Sequence, residues 1–258
     1  VAGRKLFDPG DTLSAFDRAI TADTKAVITT HVSNVFGYIL PVEGIAAICR
    51  ARGVPLIVDA SQSAGALPVS LQAWDAAFVA MPGHKGLHGP QGTGLLLCGR
   101  TPKPLLEGGT GSLSQLPEMP DFLPDVAEAG THNVPGIAGL LAGIRDLQEV
   151  GLSRVASHEQ AMIRRLAKNL AGVDGLEVFS RESQAGVLSV RAGMDCEILA
   201  GKLAEADIAV RAGLHCAPLA HGSAGTLESG TVRLSVCRFT TGEEVDSAAA
   251  ALQTICTQ

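Results

Sequence analysis

Two residues of this chain have the types and the positions that one particular chemistry requires. Lys85 lies in the glycine-flanked turn 83–86, and Asp59 closes the apolar run 56–58. A lysine amine in such a turn can form a Schiff base with pyridoxal phosphate, and a carboxylate can keep the pyridine nitrogen of that cofactor protonated. The pair therefore predicts a pyridoxal phosphate site in which the ring serves as an electron sink.

The elements that must position these residues alternate between apolar runs and a segment of helical period. The runs predict strands at 26–31, 55–59, 76–81 and 94–98, and the periodic segment predicts a helix at 42–52. Runs that are apolar on both faces indicate a mainly parallel sheet covered by helices, in which ligands bind at the carboxyl ends of the strands. Asp59 and Lys85 both fall at such ends, and His31, which does too, is interpreted as structural.

The second half of the chain predicts a different organisation. The segment 102–124 is rich in Gly, Pro and Ser, which predicts an excursion over the surface or into a partner subunit. Helices are predicted at 135–150, 153–170, 195–206 and from 242 onward, and strands at 176–179, 186–191, 208–211 and 232–236. With a boundary near Gly151, residues 1–150 form part of a large α/β domain and residues 151–258 a smaller C-terminal α+β domain.

Composition excludes several classes of function. The chain has 258 residues, 46% of them hydrophobic, and no apolar stretch approaches the roughly 18 residues of a membrane span. The net charge of −6, without acidic or basic blocks, argues against nucleic acid and anionic membrane as partners. Six cysteines without paired spacing indicate neither a metal site nor a disulfide framework, so a reducing cytoplasm is the expected location.

Six motifs occur along the chain in a fixed order. They are Thr30-His31-Val32-Ser33-Asn34, Asp59-Ala60-Ser61-Gln62, Gly83-His84-Lys85, Gly89-Pro90-Gln91-Gly92-Thr93-Gly94, Glu128-Ala129-Gly130-Thr131-His132-Asn133 and Arg211-Ala212-Gly213-Leu214-His215-Cys216. Together they resemble the class V aminotransferase family, and within it the branch of cysteine desulfurases and selenocysteine lyases. The resemblance implies an enzyme of the pyridoxal phosphate fold type I, an α/β protein that works as a homodimer.

The resemblance also implies roles for the residues around the cofactor. Lys85 would bind it covalently, Asp59 would pair with the pyridine nitrogen, and Gln62 would hydrogen-bond the ring hydroxyl. His84 would assist either the phosphate or the lysine. Thr131 lies in a segment that resembles a loop crossing the dimer, and would reach the phosphate of the partner's cofactor.

Three further residues are implied on the substrate side. Asn34 would orient the ring hydroxyl and the substrate, and Arg233 would clamp the substrate carboxylate, a bidentate task that suits arginine. Cys216 would attack the sulfur of free cysteine, giving alanine and a Cys216 persulfide for transfer to an acceptor. We expect the imidazolium of the preceding His215 to lower the pKa of this thiol.

Plainer interpretations of three of these residues stay open at this point. Asp59 alone could cap a helix, Cys216 alone could be an inert buried thiol, and Arg233 alone could form a structural ion pair. Only the motifs around these residues favour the catalytic interpretation.

The chain departs from the family pattern in two places. Pro82 stands where many relatives have a hydroxyl that binds the cofactor phosphate, and proline has neither a hydroxyl nor an N–H. Nothing before Asp11 resembles the phosphate-binding turn or the ring-stacking residue of the family. We therefore expect the chain to correspond to the C-terminal part of such an enzyme.

Three functions remain compatible with the sequence. The first is a cysteine desulfurase or selenocysteine lyase, with a sulfur-acceptor protein as a possible partner. The second is a class V transaminase, racemase or other lyase in which Cys216 is incidental. The third is a truncated paralogue that keeps the fold and has lost the cofactor.

Overall fold

The structure, a computed structural model, describes residues 5–109, 112, 113 and 115–257. These residues form two four-stranded sheets. The first has the order β1-β2-β3-β4, with strands Val27–Thr30 (β1), Leu56–Asp59 (β2), Phe78–Pro82 (β3) and Gly94–Cys98 (β4). The second has the order β5-β6-β8-β7, with strands Leu176–Phe179 (β5), Val187–Ala192 (β6), Arg211–Gly213 (β7) and Thr231–Ser235 (β8).

Helices flank both sheets. They are Pro9–Ala19 (α1), Val42–Ala51 (α2), Val134–Val150 (α3), Leu152–Asn169 (α4), Cys196–Glu205 (α5), Pro218–Ala224 (α6) and Gly242–Cys256 (α7), with a 3-10 turn at Asp125–Ala127. Within the described ranges, none of these helices combines the length and the apolar character that crossing a membrane requires.

The first sheet confirms the prediction of a mainly parallel α/β arrangement. β1, β2 and β3 are parallel neighbours, and α2 forms the crossover between β1 and β2. Val58 of β2 and Val79 of β3 are fully buried in a core that also contains Trp74 and residues of α2 and α3. Because β2 and β3 are the central strands, residues at their carboxyl ends lie next to each other at one edge of the sheet.

β4 differs from the expectation of strands covered on both faces. It pairs with β3 in the antiparallel direction, and its Leu95 and Leu96 are 38% and 48% exposed. At the opposite edge, Ile28 of β1 is 71% exposed. A short apolar run carries no signal for strand direction, and burial depends on neighbours far away in the sequence.

α1 was absent from the sequence prediction, although its start has a clear local signal. The Asp8 side chain accepts a hydrogen bond from the backbone N–H of Asp11 at 2.9 Å, and Pro9 occupies the first turn. Phe16 then anchors the helix in the first core. The six motifs begin only at Thr30, so they predicted nothing about this helix.

The second sheet is antiparallel throughout and has its own core. α4, α5 and α7 pack on it through buried residues such as Leu166, Leu203 and Leu252. The closing helix begins at Gly242 as predicted, because Thr241 and Glu244 form a reciprocal capping box. The third strand of this half was predicted at 208–211 but forms at Arg211–Gly213, where it pairs with β8.

The segment 33–38, between β1 and α2, joins the two sheets. The buried Gln184 side chain donates hydrogen bonds to Phe36 O at 2.6 Å and to Val187 O at 2.7 Å. Ser189 Oγ of β6 donates to Val35 O at 2.5 Å. These bonds satisfy buried backbone carbonyls of the segment, and they fix it against the second sheet.

The Gly, Pro and Ser-rich segment lies mostly on the surface in its described part, as predicted. Leu105 and Leu106 are 94% and 72% exposed, while residues 110, 111 and 114 lie outside the described residues. Gly151, with φ of 89°, separates α3 from α4. The domain boundary near this glycine stays a prediction, because α4 contributes Val155 to the first core and later residues to the second.

A partly buried carboxyl group of α4 gives a testable pH dependence. Burial raises the pKa of Glu159 from 4.5 to about 7, and its Oε2 would lie 2.8 Å from a Cβ added at Gly186, beside the start of β6. Between these two pH values the folded protein binds more protons at this site than the unfolded chain does. Stability contributed by protonated Glu159 is therefore lost as the pH rises towards 7.

Glu159→Gln, which imitates the protonated group, is expected to remove this dependence. The parent should lose about 2 kcal/mol of unfolding free energy between pH 4.5 and pH 7 relative to the variant, a linkage value reduced for partial exposure. Urea unfolding at both pH values measures it. Glu149→Gln, at an exposed position of α3, is the control. Equal pH slopes in the parent and Glu159→Gln would show that Glu159 is already ionised near pH 4.5.

Candidate active site

Asp59 lies at the carboxyl edge of the first sheet. It is the last residue of β2, opposite Thr30 of β1 and Ala80 of β3. Its carboxylate is exposed and accepts a hydrogen bond from the backbone N–H of Ser61 at 2.8 Å. Within the described residues no cation lies within ion-pair distance of it, so this oxygen pair is available to a positively charged ligand atom.

The turn that carries Lys85 follows β3 at the same edge. Three backbone hydrogen bonds close it, from Gly83 to Thr93 O at 2.8 Å, from Gly89 to Gly83 O at 2.7 Å and from His88 to Lys85 O at 2.9 Å. The side chains of Lys85 and His84 are exposed. A rigid backbone with an exposed amine is suited to covalent binding of a carbonyl group.

Two glycines let the Asp59 loop and the Lys85 turn approach each other. A Cβ at Gly65 would lie 2.0 Å from Gly86 O, and a Cβ at Gly86 would lie 2.4 Å from Ala64 O. Real Cβ atoms do not approach backbone that closely, so only glycine fits at either position. The structure thus places the loop that contains Asp59 and Gln62 against the turn that contains Lys85, as the sequence predicted.

Asn34 connects the first sheet to the loop that carries Cys216. Its side-chain amide donates to His215 O at 2.7 Å, and its backbone O accepts a hydrogen bond from Arg233 Nη1 at 3.0 Å. Asn34, in the segment that follows β1, therefore contacts both Arg233, the predicted carboxylate clamp, and His215, which precedes the predicted nucleophile.

Arg233 has the surroundings of an anion site rather than of an ion pair. Within the described ranges no carboxylate pairs with it, and its buried Nε has no hydrogen-bond partner. Burial, followed by the positive charge of Arg211, lowers the pKa of Arg233. Arg211 of β7 stands directly opposite Arg233 of β8, and like charges in such a cross-strand pair are relieved by an anion.

Arg211 received no role from the sequence, although it opens the last motif. Its register opposite Arg233 shows that it belongs to the same positive surface. The sequence could indicate this pairing of Arg211 with Arg233 only indirectly, because the register between two strands depends on where β7 begins. The strand was predicted to end at this arginine, and it actually begins there.

Cys216 is exposed, while its neighbour His215 is buried. Both residues have positive φ, 60° for Cys216 and 50° for His215. His215 Nε2 lies 3.2 Å from Thr231 Oγ1, and Thr231 donates onward to Ser189 Oγ at 3.5 Å. The prediction of an accessible thiol is confirmed, so Cys216 is not buried, and its role as the nucleophile stays a prediction.

The expected influence of His215 on the thiol is also wrong. Burial, followed by the positive charge of Arg233, lowers the pKa of His215 from 6.5 to about 4. The ring is therefore neutral at neutral pH and supplies no positive charge to Cys216. Its contacts give it a different task, because they fix the backbone from which Cys216 projects.

The structure does not bring Thr131 to the other site residues. It is exposed in the loop before α3, where Asn133 caps the helix by accepting a hydrogen bond from Gly136 N at 3.1 Å. α3 itself packs on the Lys85 turn, since a Cβ at Gly89 would lie 2.7 Å from Leu140 Cδ1. The role of Thr131 towards a partner's cofactor stays a prediction.

Comparison with known proteins agrees with this arrangement. A probable cysteine desulfurase of Methanothermobacter thermautotrophicus is 36% identical over 252 residues, which cover 93% of this chain and 62% of that protein. A cysteine desulfurase of Yersinia pseudotuberculosis is 34% identical over 243 residues, covering 90% of this chain and 58% of that protein. The chain thus spans about three fifths of the length of these relatives.

Solved structures give the same result. The apo form of a cysteine desulfurase from Thermococcus onnurineus superposes with a TM-score of 0.82 at 31% identity, covering 95% of this chain and 63% of that one. The cysteine desulfurase CsdA of Escherichia coli also has a TM-score of 0.82, at 26% identity, covering 98% and 63%. The profile described as "Aminotransferase class-V" matches residues 9–247. This chain therefore belongs to the class V aminotransferase family, a family of pyridoxal phosphate enzymes with fold type I.

Proposed function

We propose that the protein containing this chain is a cysteine desulfurase, which transfers the sulfur of L-cysteine to Cys216 and releases alanine. The observation that carries the proposal is the position of Cys216. The exposed thiol projects from a loop that Asn34 ties, through His215 O, to the partly buried Arg233. A nucleophile and a carboxylate clamp on one connected framework suit an amino acid whose side chain is attacked.

The residues present fit the ring of pyridoxal phosphate. Lys85 offers an exposed amine, Asp59 a carboxylate without a cation, and Gln62 an amide in the same loop. His84 is proposed to assist either the phosphate or Lys85, and Thr131 to reach the phosphate of the partner's cofactor. When bound, the cofactor withdraws electrons from the Cα of an attached amino acid.

Each residue of the site then has a defined task. Arg233 would hold the substrate carboxylate, Asn34 would orient the ring hydroxyl and the substrate, and Asp59 would balance the positive charge of the ring nitrogen. Lys85 would hold the cofactor covalently, and its amine would also supply the base that accepts the Cα proton. These tasks require Lys85 and Arg233 at fixed positions relative to each other.

Cys216 completes the reaction. Its thiolate attacks the substrate sulfur, a sulfur–sulfur bond forms, and the bond between that sulfur and the substrate Cβ breaks. The electron pair of the broken bond stays with carbon, which is protonated to give the methyl group of alanine. The thiol of the enzyme becomes a persulfide, so no external oxidant or reductant is consumed.

The same proposal includes a homodimer and a sulfur acceptor. Exposed apolar side chains along α3, at Val134, Ile137 and Leu141, support a subunit contact on this helix. The exposure of Cys216 supports transfer of its persulfide to an acceptor protein. All six cysteines are free, which supports a reducing compartment such as the cytoplasm.

One incubation tests the proposal. The complete product of the reading frame, loaded with pyridoxal phosphate, should convert L-cysteine to alanine with an equal amount of protein-bound persulfide. Asp59→Asn should keep some cofactor and lose most of the activity, because the ring nitrogen would lose its proton. Formation of a keto acid without alanine would support a transaminase, and the lack of any cofactor absorption band would support an inactive paralogue.

A further inference from the structure

A cluster of four side chains connects the Lys85 turn to the second sheet. The ring of His88, three residues after Lys85, stacks on Phe239 with 6.0 Å between ring centroids and 27° between ring planes. The guanidinium carbon of Arg238 lies 4.2 Å from the centroid of the same phenylalanine ring. Phe239 and Arg238 follow β8, the strand that carries Arg233.

Arg238 also pairs with Asp146 of α3. Its side chain is only 14% exposed, and its buried Nε has no hydrogen-bond partner. The half-exposed Asp146 is therefore the charge partner of a largely desolvated arginine, and its removal would leave the arginine charge without compensation. This pair bridges the second sheet to the helix that packs on the Lys85 turn.

α3 reaches the turn by backbone contact close to Asp146. A Cβ at Gly143 would lie 2.4 Å from Leu87 O and 2.9 Å from His88 O. The turn is therefore packed against α3 through Gly143, and on its other side the exposed His88 ring lies against Phe239, which is 67% exposed.

The conformation of His88 links its ring to the lysine. His88 has φ of 57°, a left-handed conformation that side chains other than glycine rarely adopt, and its N–H donates to Lys85 O. Such a conformation persists only where surrounding contacts determine it. His88 therefore links the Phe239 ring to the backbone that supports Lys85.

The far end of the cluster is fixed as well. Thr240 O lies 2.8 Å from His158 Nε2 of α4, and Thr240 N donates to Cys237 O at 3.0 Å. The segment that carries Arg238 and Phe239 directly follows β8 and is thus anchored to α4 through Thr240.

We propose that His88, Phe239, Arg238 and Asp146 form a clasp that positions Lys85 relative to Arg233. The clasp is separate from the contacts of Asn34, which join the two sheets on the side of Cys216. Its members would act through Lys85 and Arg233, so they are positioning residues. The inference rests on the proposed function, because the distance that it sets matters only when one substrate engages both Lys85 and Arg233.

Another arginine–aspartate pair supplies the matched control. Arg165 of α4 and Asp246 of α7 form two hydrogen bonds, of 2.7 Å and 2.5 Å. Both helices pack on the second sheet, and neither residue contacts the Lys85 turn. A purely structural role would make the two pairs equivalent in activity measurements.

The test uses the complete product of the reading frame, loaded with pyridoxal phosphate. Phe239→Leu is expected to lower kcat/KM for L-cysteine roughly tenfold, mainly through kcat, because the misplacement affects the reacting geometry more than binding. The pH titration of the visible absorption of the Lys85-bound cofactor should shift in the same variant. Phe239→Tyr keeps the ring and should retain parental values, and Arg165→Gln should retain both kcat/KM and the titration.

Each outcome decides between the possibilities. Parental kcat/KM in Phe239→Leu, or an equal loss in Arg165→Gln, overturns the clasp. If Phe239→Leu does not fold, Asp146→Asn replaces it with the same expected loss and the same overturning result. If the parent itself has no desulfurase activity, the proposed function fails, and the cofactor titration of the same variants then decides the clasp. If no cofactor binds, the thermal unfolding of a double-mutant cycle of His88→Ala and Phe239→Leu decides it. Additive losses of stability in that cycle overturn the clasp.

Discussion

Lys85→Ala is expected to abolish the visible absorption of the bound cofactor and to lower turnover by on the order of a thousandfold or more. The amine of Lys85 is exposed in a turn that is closed by three backbone hydrogen bonds and packed against the Asp59 loop. Within the described residues, no other lysine lies in this turn. A covalent bond to the cofactor and a base for the Cα proton would therefore be lost together.

Two variants separate the covalent role from the charge. Lys85→Arg keeps the positive charge but forms no Schiff base, so it should resemble the alanine variant. Lys103→Ala removes an exposed lysine from the surface segment and should retain parental absorption and turnover. A borohydride-reducible cofactor adduct that persists in Lys85→Ala would show that another amine holds the cofactor.

The positions of Lys85 and Asp59 at one edge of the sheet could be predicted because the sequence patterns around them are local. A buried strand that ends in a carboxylate and a glycine-flanked lysine each occupy a few consecutive residues, and parallel strands bring their ends to one edge. The close approach of Gly65 and Gly86 could not be predicted in the same way. It depends on the path of the loop 60–77, in which the structure assigns no helix or strand.

What the sequence could not provide depends on contacts between distant residues. The direction of β4 and the exposure of Ile28 follow from sheet neighbours, which the apolar runs do not specify. The burial of His215 is a further example. Its motif predicts a charged neighbour for Cys216, whereas Thr231, 16 residues later, and Asn34, 181 residues earlier, hold it inside as a neutral ring.

Cys216→Ala is expected to keep the cofactor and its absorption while sulfur transfer from L-cysteine falls by on the order of a hundredfold or more. The thiol projects from a loop whose backbone is fixed by the Asn34 side chain, and it takes no part in the contacts described above for the Asp59 loop and the Lys85 turn. Removal of the sulfur atom should therefore leave both of these elements unchanged. Measuring persulfide and alanine together with the absorption spectrum checks the separation.

The second exposed cysteine provides the control for this experiment. Cys237 is also exposed and free, and it follows β8 without contact to Asn34 or His215. Cys237→Ala should form persulfide at the parental rate, since neither the loop of Cys216 nor Arg233 is altered. If Cys216→Ala instead delivers sulfur at the parental rate, Cys216 is not the nucleophile. The arrangement of Lys85, Asp59 and Arg233 would then be better explained by a class V transaminase or lyase, because that chemistry needs the cofactor and the carboxylate clamp but no thiol.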